Sequence, residues 1–459
     1  VGSGSGTLQS SIHRSAIKMW FPTKDMMISL AILFLVFLTP CSSAFWNTQN
    51  KIKTAVHLSP KIELGPGSVS IKYYNDIEFP RSHVALKGVT AEVVDEAGNP
   101  VPLHQTYLHH WALIRYHESK SKLATHTNYD PHRVLHFSDS FSNSSQVSAR
   151  NSGICQGNVL GQYYGIGSET RGTNTDIPDP FGIEIGNPAE IPEGYEEKWK
   201  LLIHAIDTRG VEDTMGCTEC RCDLYNVTVN EFGIPLSPSY EGGLDCCYDQ
   251  TQCRLRKGFQ APKRSLYLRY TAKWIDWDEY VVPVKIYILD VTDTLKISDT
   301  SNIASSDHNC VIEYQVDPCN SESKKDNECL HVKRTSLPMQ KGGYVVYGVA
   351  HQHSGGIGST LYGQDGRVIC TSLPIYGSGD EAGNEAGYVV GMSTCYPKPG
   401  SVKIFDGETL TLESNYTSTT RSRTGVMGVF YLLVAEQLPH EHYLTHSSPF
   451  FRNINNVFD

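Results

Sequence analysis

Along most of the chain, apolar and polar positions alternate, or β-branched residues form short runs bounded by Gly, Pro and Asn, and both patterns predict strands. SVSIKYYN (68–75), HVALKGVTAEVV (83–94), YLHHWALI (107–114), WKLLIHAI (199–206), RSLYLRYTA (264–272) and VVPVKIYILDV (281–291) form a first group. CVIEYQV (310–316), GYVVYGVA (343–350), RVICTSL (367–373), GYVVGM (387–392), TLTLESN (409–415) and VMGVFYLLVA (426–435) form a second. No segment carries a sustained helical period, and turn-rich stretches such as GSETRGTNTDIPDPFG separate the strands. The polar stretch TDTLKISDTSNIASSDHN lies between the groups and sets a boundary near residue 300. The expectation is an all-β protein of two β-sandwich, jelly-roll-like domains in tandem, over residues 58–300 and 301–440, with 441–459 as a tail.

The N-terminus breaks the strand pattern. Residues 1–25 read as linker or upstream read-through, and MISLAILFLVFL, preceded by Lys24 and followed by Ser42-Ser43-Ala44, reads as a signal peptide over 26–44. The apolar run is short for a membrane span, so a secreted protein with no stable membrane insertion after cleavage is expected. Anchoring by an uncleaved segment is the alternative.

Composition narrows the partners. A net charge of -10 over 459 residues argues against nucleic acid and anionic membrane surfaces. Of 13 Cys, Cys41 falls in the signal peptide, and the remaining even set includes the clusters GCTECRC and DCCYDQTQC. In an oxidising compartment these predict disulfides ahead of a zinc knot. Sequons at Asn143, Asn226 and Asn415 fit a glycoprotein.

Four features could carry chemistry. His351 and His353 stand one residue apart at the end of an apolar run, so a strand would aim both imidazoles to one side. Met427, between Gly425 and Gly428, is one of four Met beyond the signal peptide; a thioether beside two imidazoles favours copper, above all Cu(I). His109 and His110 are adjacent, and serve one ion only where the strand twists or bulges. His204 sits inside an apolar strand. Taken singly, each also reads as an ordinary core or surface residue.

Their order, HH, then a lone His, then HxH, then a late Met, resembles the copper type II ascorbate-dependent monooxygenases, a family that includes the peptidylglycine and dopamine hydroxylating enzymes. HHWALI, PFGIEIG with LLIHAID, and GETLTLESNYTSTTRSRTGVMG carry this resemblance. TYLHHWAL, MGCTECRCDLYNVT, GGLDCCYD and VAHQHSGG with LYGQDGR are also similar to the plant stress up-regulated Nod 19 family. The name of that family records regulation and supplies no chemistry.

The monooxygenase resemblance implies two copper ions on two domains across a solvent-filled cleft. His109, His110 and His204 would form an electron-storing site, and His351, His353 and Met427 the site for dioxygen and substrate. Ascorbate would be the electron donor, the substrate a small molecule, and Tyr431 a catalytic-pocket residue. Val349 occupies the position where peptide-amidating enzymes carry an Arg that grips a carboxylate, so peptide amidation is not expected. The expected function is a secreted, apoplastic, stress-associated copper monooxygenase. The alternative is a non-catalytic copper-binding or disulfide-rich cell-wall protein.

Overall fold

A computed structural model describes residues 52–121, 146–152, 161, 163–296, 307–319 and 329–439, together with Gly2. The signal-peptide segment, Asn143 and the tail 441–459 lie outside the described residues. Residues 48–459 form one compact unit.

The protein is all-β, and its strands pair into two sets. In the first, one sheet runs in the order Lys53–Leu58, Arg264–Asp276, Val84–Asp95, Phe181–Ile185, Val282–Pro283. A second sheet runs Val69–Tyr74, Tyr195–Asp207, Thr106–Ser119, Gln146–Ser148. The second set has one sheet ordered Lys285–Asp290, Val429–Ala435, Gly343–His351, Lys403–Ile404 and another ordered Leu330–Pro338, Thr409–Thr417, Gly356–Tyr362, Val368–Ser372. Short ribbons, among them Glu313–Val316 with Arg423–Met427, complete it.

The hydrogen-bond ladder passes from one set to the other inside VVPVKIYILDV. Val282 and Pro283 pair with Phe181–Ile185, whereas Lys285–Asp290 pair with Val429–Ala435. Pro283 has no N–H to donate and falls where the chain changes partners. The change therefore comes earlier than the polar stretch near residue 300. One continuous buried cluster, including Trp111, Trp199, Leu289 and Phe430, joins the two sets.

Strand burial follows the side-chain period of two where only one face of the strand is fully covered. Arg264–Asp276 alternates buried and half-buried positions, but Thr106–Ser119 is buried on both faces for most of its length. That central position explains why YLHHWALI reads as a nearly continuous apolar run.

Two irregular segments tie the sets together. Within 167–176, the Ser168 hydroxyl donates to the Val389 carbonyl at 2.8 Å, and the Gly172 N–H to the Val390 carbonyl at 2.9 Å. The Cys-rich segment is cross-linked by Cys217–Cys253, Cys220–Cys247 and Cys222–Cys246. It reaches the second set through Glu219, whose carbonyl accepts from the Thr424 hydroxyl at 2.7 Å and whose carboxylate pairs with Arg423 at 2.9 Å. Cys319–Cys329 and Cys370–Cys395 bring the described disulfides to five.

The late strand VMGVFYLLVA is broken at Gly428. Arg423–Met427 pairs with Glu313–Val316, and Val429–Ala435 pairs with two other strands. A Cβ at Gly428 would lie 2.6 Å from Val291 Cγ1 and 2.8 Å from Ser414 Cβ. Gly428→Ala should therefore destabilise the protein by about 1–3 kcal/mol through overpacking. Urea denaturation with an unchanged m-value is the measurement; an unshifted midpoint would show that the site has slack.

Candidate metal centre

The two adjacent histidines owe their placement to a β-bulge. Between Thr106–Ser119 and Tyr195–Asp207, Leu108 pairs with Ala205 and His110 pairs with His204, leaving His109 as the extra residue. A bulge turns a side chain that would otherwise point to the opposite face. His109 and His110 consequently converge, with their Nδ1 atoms 2.8 Å apart. The close approach of the next segment depends on Gly167, where a Cβ would collide with the His109 carbonyl oxygen.

The HxH pair is held differently. His351 ends the strand Gly343–His351, and His353 follows it, with ring centroids 5.1 Å apart. Gln352 between them is fully buried and donates to Ser414 Oγ at 2.9 Å and to the Asn415 carbonyl at 3.1 Å. Tyr416 clamps the rest. Its hydroxyl accepts from the His353 N–H at 2.8 Å and donates to the Met427 carbonyl at 2.6 Å. One buried phenol thus sets the position of both the HxH turn and the Met strand.

All six candidate donors, His109, His110, His204, His351, His353 and Met427, meet in one cluster. His110 Nε2 lies 3.1 Å from Met427 Sδ and 3.2 Å from His353 Nε2. His109 stacks on His204 with centroids 4.4 Å apart. The rings of His110 and His351 are 5.2 Å apart. The donors therefore do not divide into the two cleft-separated groups that the monooxygenase resemblance implies. His110 instead bridges them, touching His109 through Nδ1 and His353 and Met427 through Nε2. The cause is the direct packing of the two strand sets through the segments 167–176 and 213–253.

The donor chemistry fits a soft or borderline ion. Burial, reinforced by the neighbouring imidazoles, holds His109, His110 and His353 well below the usual histidine pKa. Burial lowers His204 to about 3. These rings are neutral at ordinary pH and can offer lone pairs. His204 Nδ1 and His351 Nε2 are buried with no hydrogen-bond partner, an arrangement that is costly in a structural histidine and normal in a ligand. The 3.2 Å separation of His110 Nε2 and His353 Nε2 is close to the spacing of two nitrogen donors around one four-coordinate ion, about 3.3 Å for metal–nitrogen bonds of about 2.0 Å.

Two partners of the cluster were not legible in the sequence. Glu169 is fully buried and accepts from His351 Nδ1 at 2.5 Å, which leaves His351 Nε2 as the donor atom. Carboxylates that orient metal-binding histidines in this way raise their basicity. The other partner is the Cys220–Cys247 disulfide, with Cys220 Sγ 3.6 Å from His109 Nε2 and Cys247 Sγ 3.9 Å from His204 Nε2. His109, Cys220 and Cys247 come within metal-binding distance of one another, but sulfurs bonded to each other are not thiolate ligands.

A cavity of about 100 Å³ opens onto His110, His204, His351 and Met427. Tyr431 lines it and pairs in register with Val349. The Val349 side chain lines a second, smaller chamber of about 30 Å³.

The sequence profile of the stress up-regulated Nod 19 family matches residues 50–437. The chain belongs to that family. No curated protein sequence matches it. Among solved structures, infectious bursal virus derived T=1 particles align at 11% identity over 85% of this chain and 72% of that one, with a TM-score of 0.19. The VP2 subviral particle of infectious bursal disease virus aligns at 10% identity over 84% and 73%, with a TM-score of 0.17. Scores this low carry no argument about this Nod 19 protein.

Two outcomes are expected from the site geometry. Tyr416→Phe removes both hydrogen bonds of the clamp and should cost about 1–3 kcal/mol in urea denaturation while the circular dichroism spectrum is retained. A full-stability variant would mean that the phenol ring alone positions the turn. The metal-free protein should also lose stability as pH falls. The folded His204 binds its proton only near pH 3, whereas an unfolded histidine does so near about 6.5. Below about 6.5 the unfolded chain therefore holds more protons and is favoured. The urea midpoint should be lower at pH 5 than at pH 7.5; equal midpoints would show that the imidazoles titrate normally.

Proposed function

We propose that this Nod 19 protein binds copper through the His/Met cluster and uses it, with ascorbate, to hydroxylate a small molecule in a secretory or apoplastic setting. The observation that carries the reading is the convergence of His110 Nε2, His353 Nε2 and Met427 Sδ beside buried, unpartnered His204 Nδ1 and His351 Nε2. Neutral imidazoles with a thioether and no carboxylate donor suit Cu(I) better than Zn²⁺ or Mg²⁺. The five disulfides among the described residues fit an oxidising compartment. No helix among the described residues is long and apolar enough to cross a membrane.

Bound copper would supply one-electron redox chemistry and dioxygen binding. The chain supplies the remainder. Glu169 keeps a proton on His351 Nδ1, so that Nε2 points to the cluster unprotonated. Tyr416 fixes the His353 turn against the Met427 strand. The walls of the cavity beside the donor atoms are mostly apolar, among them Trp111, Leu202, Leu244 and Val429. The overall reaction consumes one C–H bond, one dioxygen, and two electrons with two protons from ascorbate. It yields an alcohol, water and dehydroascorbate.

A second reading, a copper-holding protein without turnover, is favoured by one observation. All six donors share one cluster, so these donors leave no second, remote electron-storing site among the described residues. Metal analysis and oxygen uptake separate the readings. Purified protein reconstituted with copper should retain at least one copper per chain, and ascorbate should drive oxygen consumption. Met427→Leu should weaken Cu(I) binding about tenfold or more and Cu(II) binding less, because only the softer ion gains strongly from the thioether. Retained copper without oxygen uptake selects the holding protein, and absence of copper defeats both readings.

A further inference from the structure

The two chambers beside the cluster are continuous in their lining. Gly165, Ile166 and Tyr431 border both the larger cavity at the donor atoms and the smaller one at Val349. The larger is walled by Trp111, Leu202, Leu244 and Val429, and the smaller by Tyr163, Tyr164 and Tyr347. Among the described residues, no Lys, Arg, Asp or Glu lines either chamber. The larger chamber is bordered by the cluster residues His204 and His351, where His204 Nδ1 and His351 Nε2 lack partners.

We propose that this paired cavity is the binding site of a small uncharged molecule, about the size of a single aromatic ring, that presents one hydroxyl or C–H group to the His/Met cluster. This deepens the hydroxylation reading by naming its substrate class. The argument is one of desolvation. An ion entering these chambers would give up its water and meet no counter-charge among the lining side chains, a loss that the cavity has no means of repaying. A neutral apolar ring loses little and gains contact with Trp111 and the aliphatic walls. A cavity of about 100 Å³ is of the order that accepts a benzene-sized occupant. The open cluster nitrogens give a single hydroxyl a place to bond, which orients the ring.

Gly165 sets the passage between the chambers. A Cβ there would lie 3.1 Å from the Tyr431 hydroxyl and 3.2 Å from the Trp111 carbonyl oxygen. A branched side chain at this point closes the junction. Leu202, half-buried on the strand Tyr195–Asp207, offers a second place to fill the larger chamber.

The test uses the full chain without metal, so that its result is independent of copper. Isothermal titration with three molecules of one skeleton, p-cresol, 4-hydroxybenzoate and 4-hydroxybenzylamine, compares a neutral, an anionic and a cationic probe. The expected result is p-cresol binding at least tenfold tighter than either charged probe. Gly165→Val and Leu202→Trp should each weaken p-cresol binding tenfold or more while the melting transition remains cooperative. If Gly165→Val does not fold, Leu202→Trp decides. Equal or tighter binding of a charged probe overturns the proposal, as does failure of all three to bind, or p-cresol binding unchanged in the folded variants. A protein that holds copper but binds none of the probes refutes the substrate class and leaves the copper reading standing; one that binds p-cresol as expected but retains no copper on reconstitution keeps the cavity assignment and defeats the copper reading.

Discussion

Four or more neutral imidazoles packed against a thioether, with water largely excluded, form an arrangement that a protein core does not favour. Each buried nitrogen without a partner costs free energy comparable to a lost hydrogen bond, and His204 Nδ1 and His351 Nε2 both incur that cost. The surrounding structure is organised to hold the rings together in spite of it. Glu169 ties His351, Gln352 anchors the backbone between the two HxH rings, and Tyr416 locks His353 to Met427. Each of these groups is itself buried and bonded, so the network fixes one geometry.

The cluster lies where the two strand sets meet, and the connection between them follows from that. The segment 167–176 carries Glu169 to His351 and bonds to the Val389–Met392 strand on the way. The Cys-rich segment brings Cys220–Cys247 against His109 and His204, and Glu219 against Arg423 and Thr424, close to Met427. Regular structure in both segments is confined to single short helical turns, Ser168–Arg171 in the first and Thr214–Thr218 and Cys222–Tyr225 in the second. Three disulfides give the second its rigidity by restricting the unfolded chain. Glycines make the contacts possible: Gly167 beside the bulge and Gly428 beside the Met each fill a place where a Cβ would meet backbone or packed side chains.

Much of the fold was legible in the sequence. The apolar runs became strands nearly end for end, as in WKLLIHAI within Tyr195–Asp207 and TLTLESN within Thr409–Thr417, because the period of two is imposed by local backbone geometry. The exceptions are instructive. VVPVKIYILDV and VMGVFYLLVA each look like one strand, yet each is divided between sheets at Val284 and at Gly428. A strand's pairing partner depends on residues far away in the chain, so hydrophobicity alone does not reveal such a change.

The sequence by itself determined the inventory: an all-β chain, disulfide-forming cysteines, and His109, His110, His204, His351, His353 and Met427 as side chains of the chemical type that suits a soft metal. Residue type and local spacing fix those properties, since the donor atom and the strand face are local matters. Tertiary structure alone decided the grouping. Packing of the two strand sets merged the donors into one cluster, the bulge at His109 turned two adjacent rings together, and long-range contacts brought Glu169, Tyr416 and the Cys220–Cys247 bridge to its edge. These contacts join residues as far apart as His110 and Met427, and only the folding of the whole chain determines which distant surfaces meet.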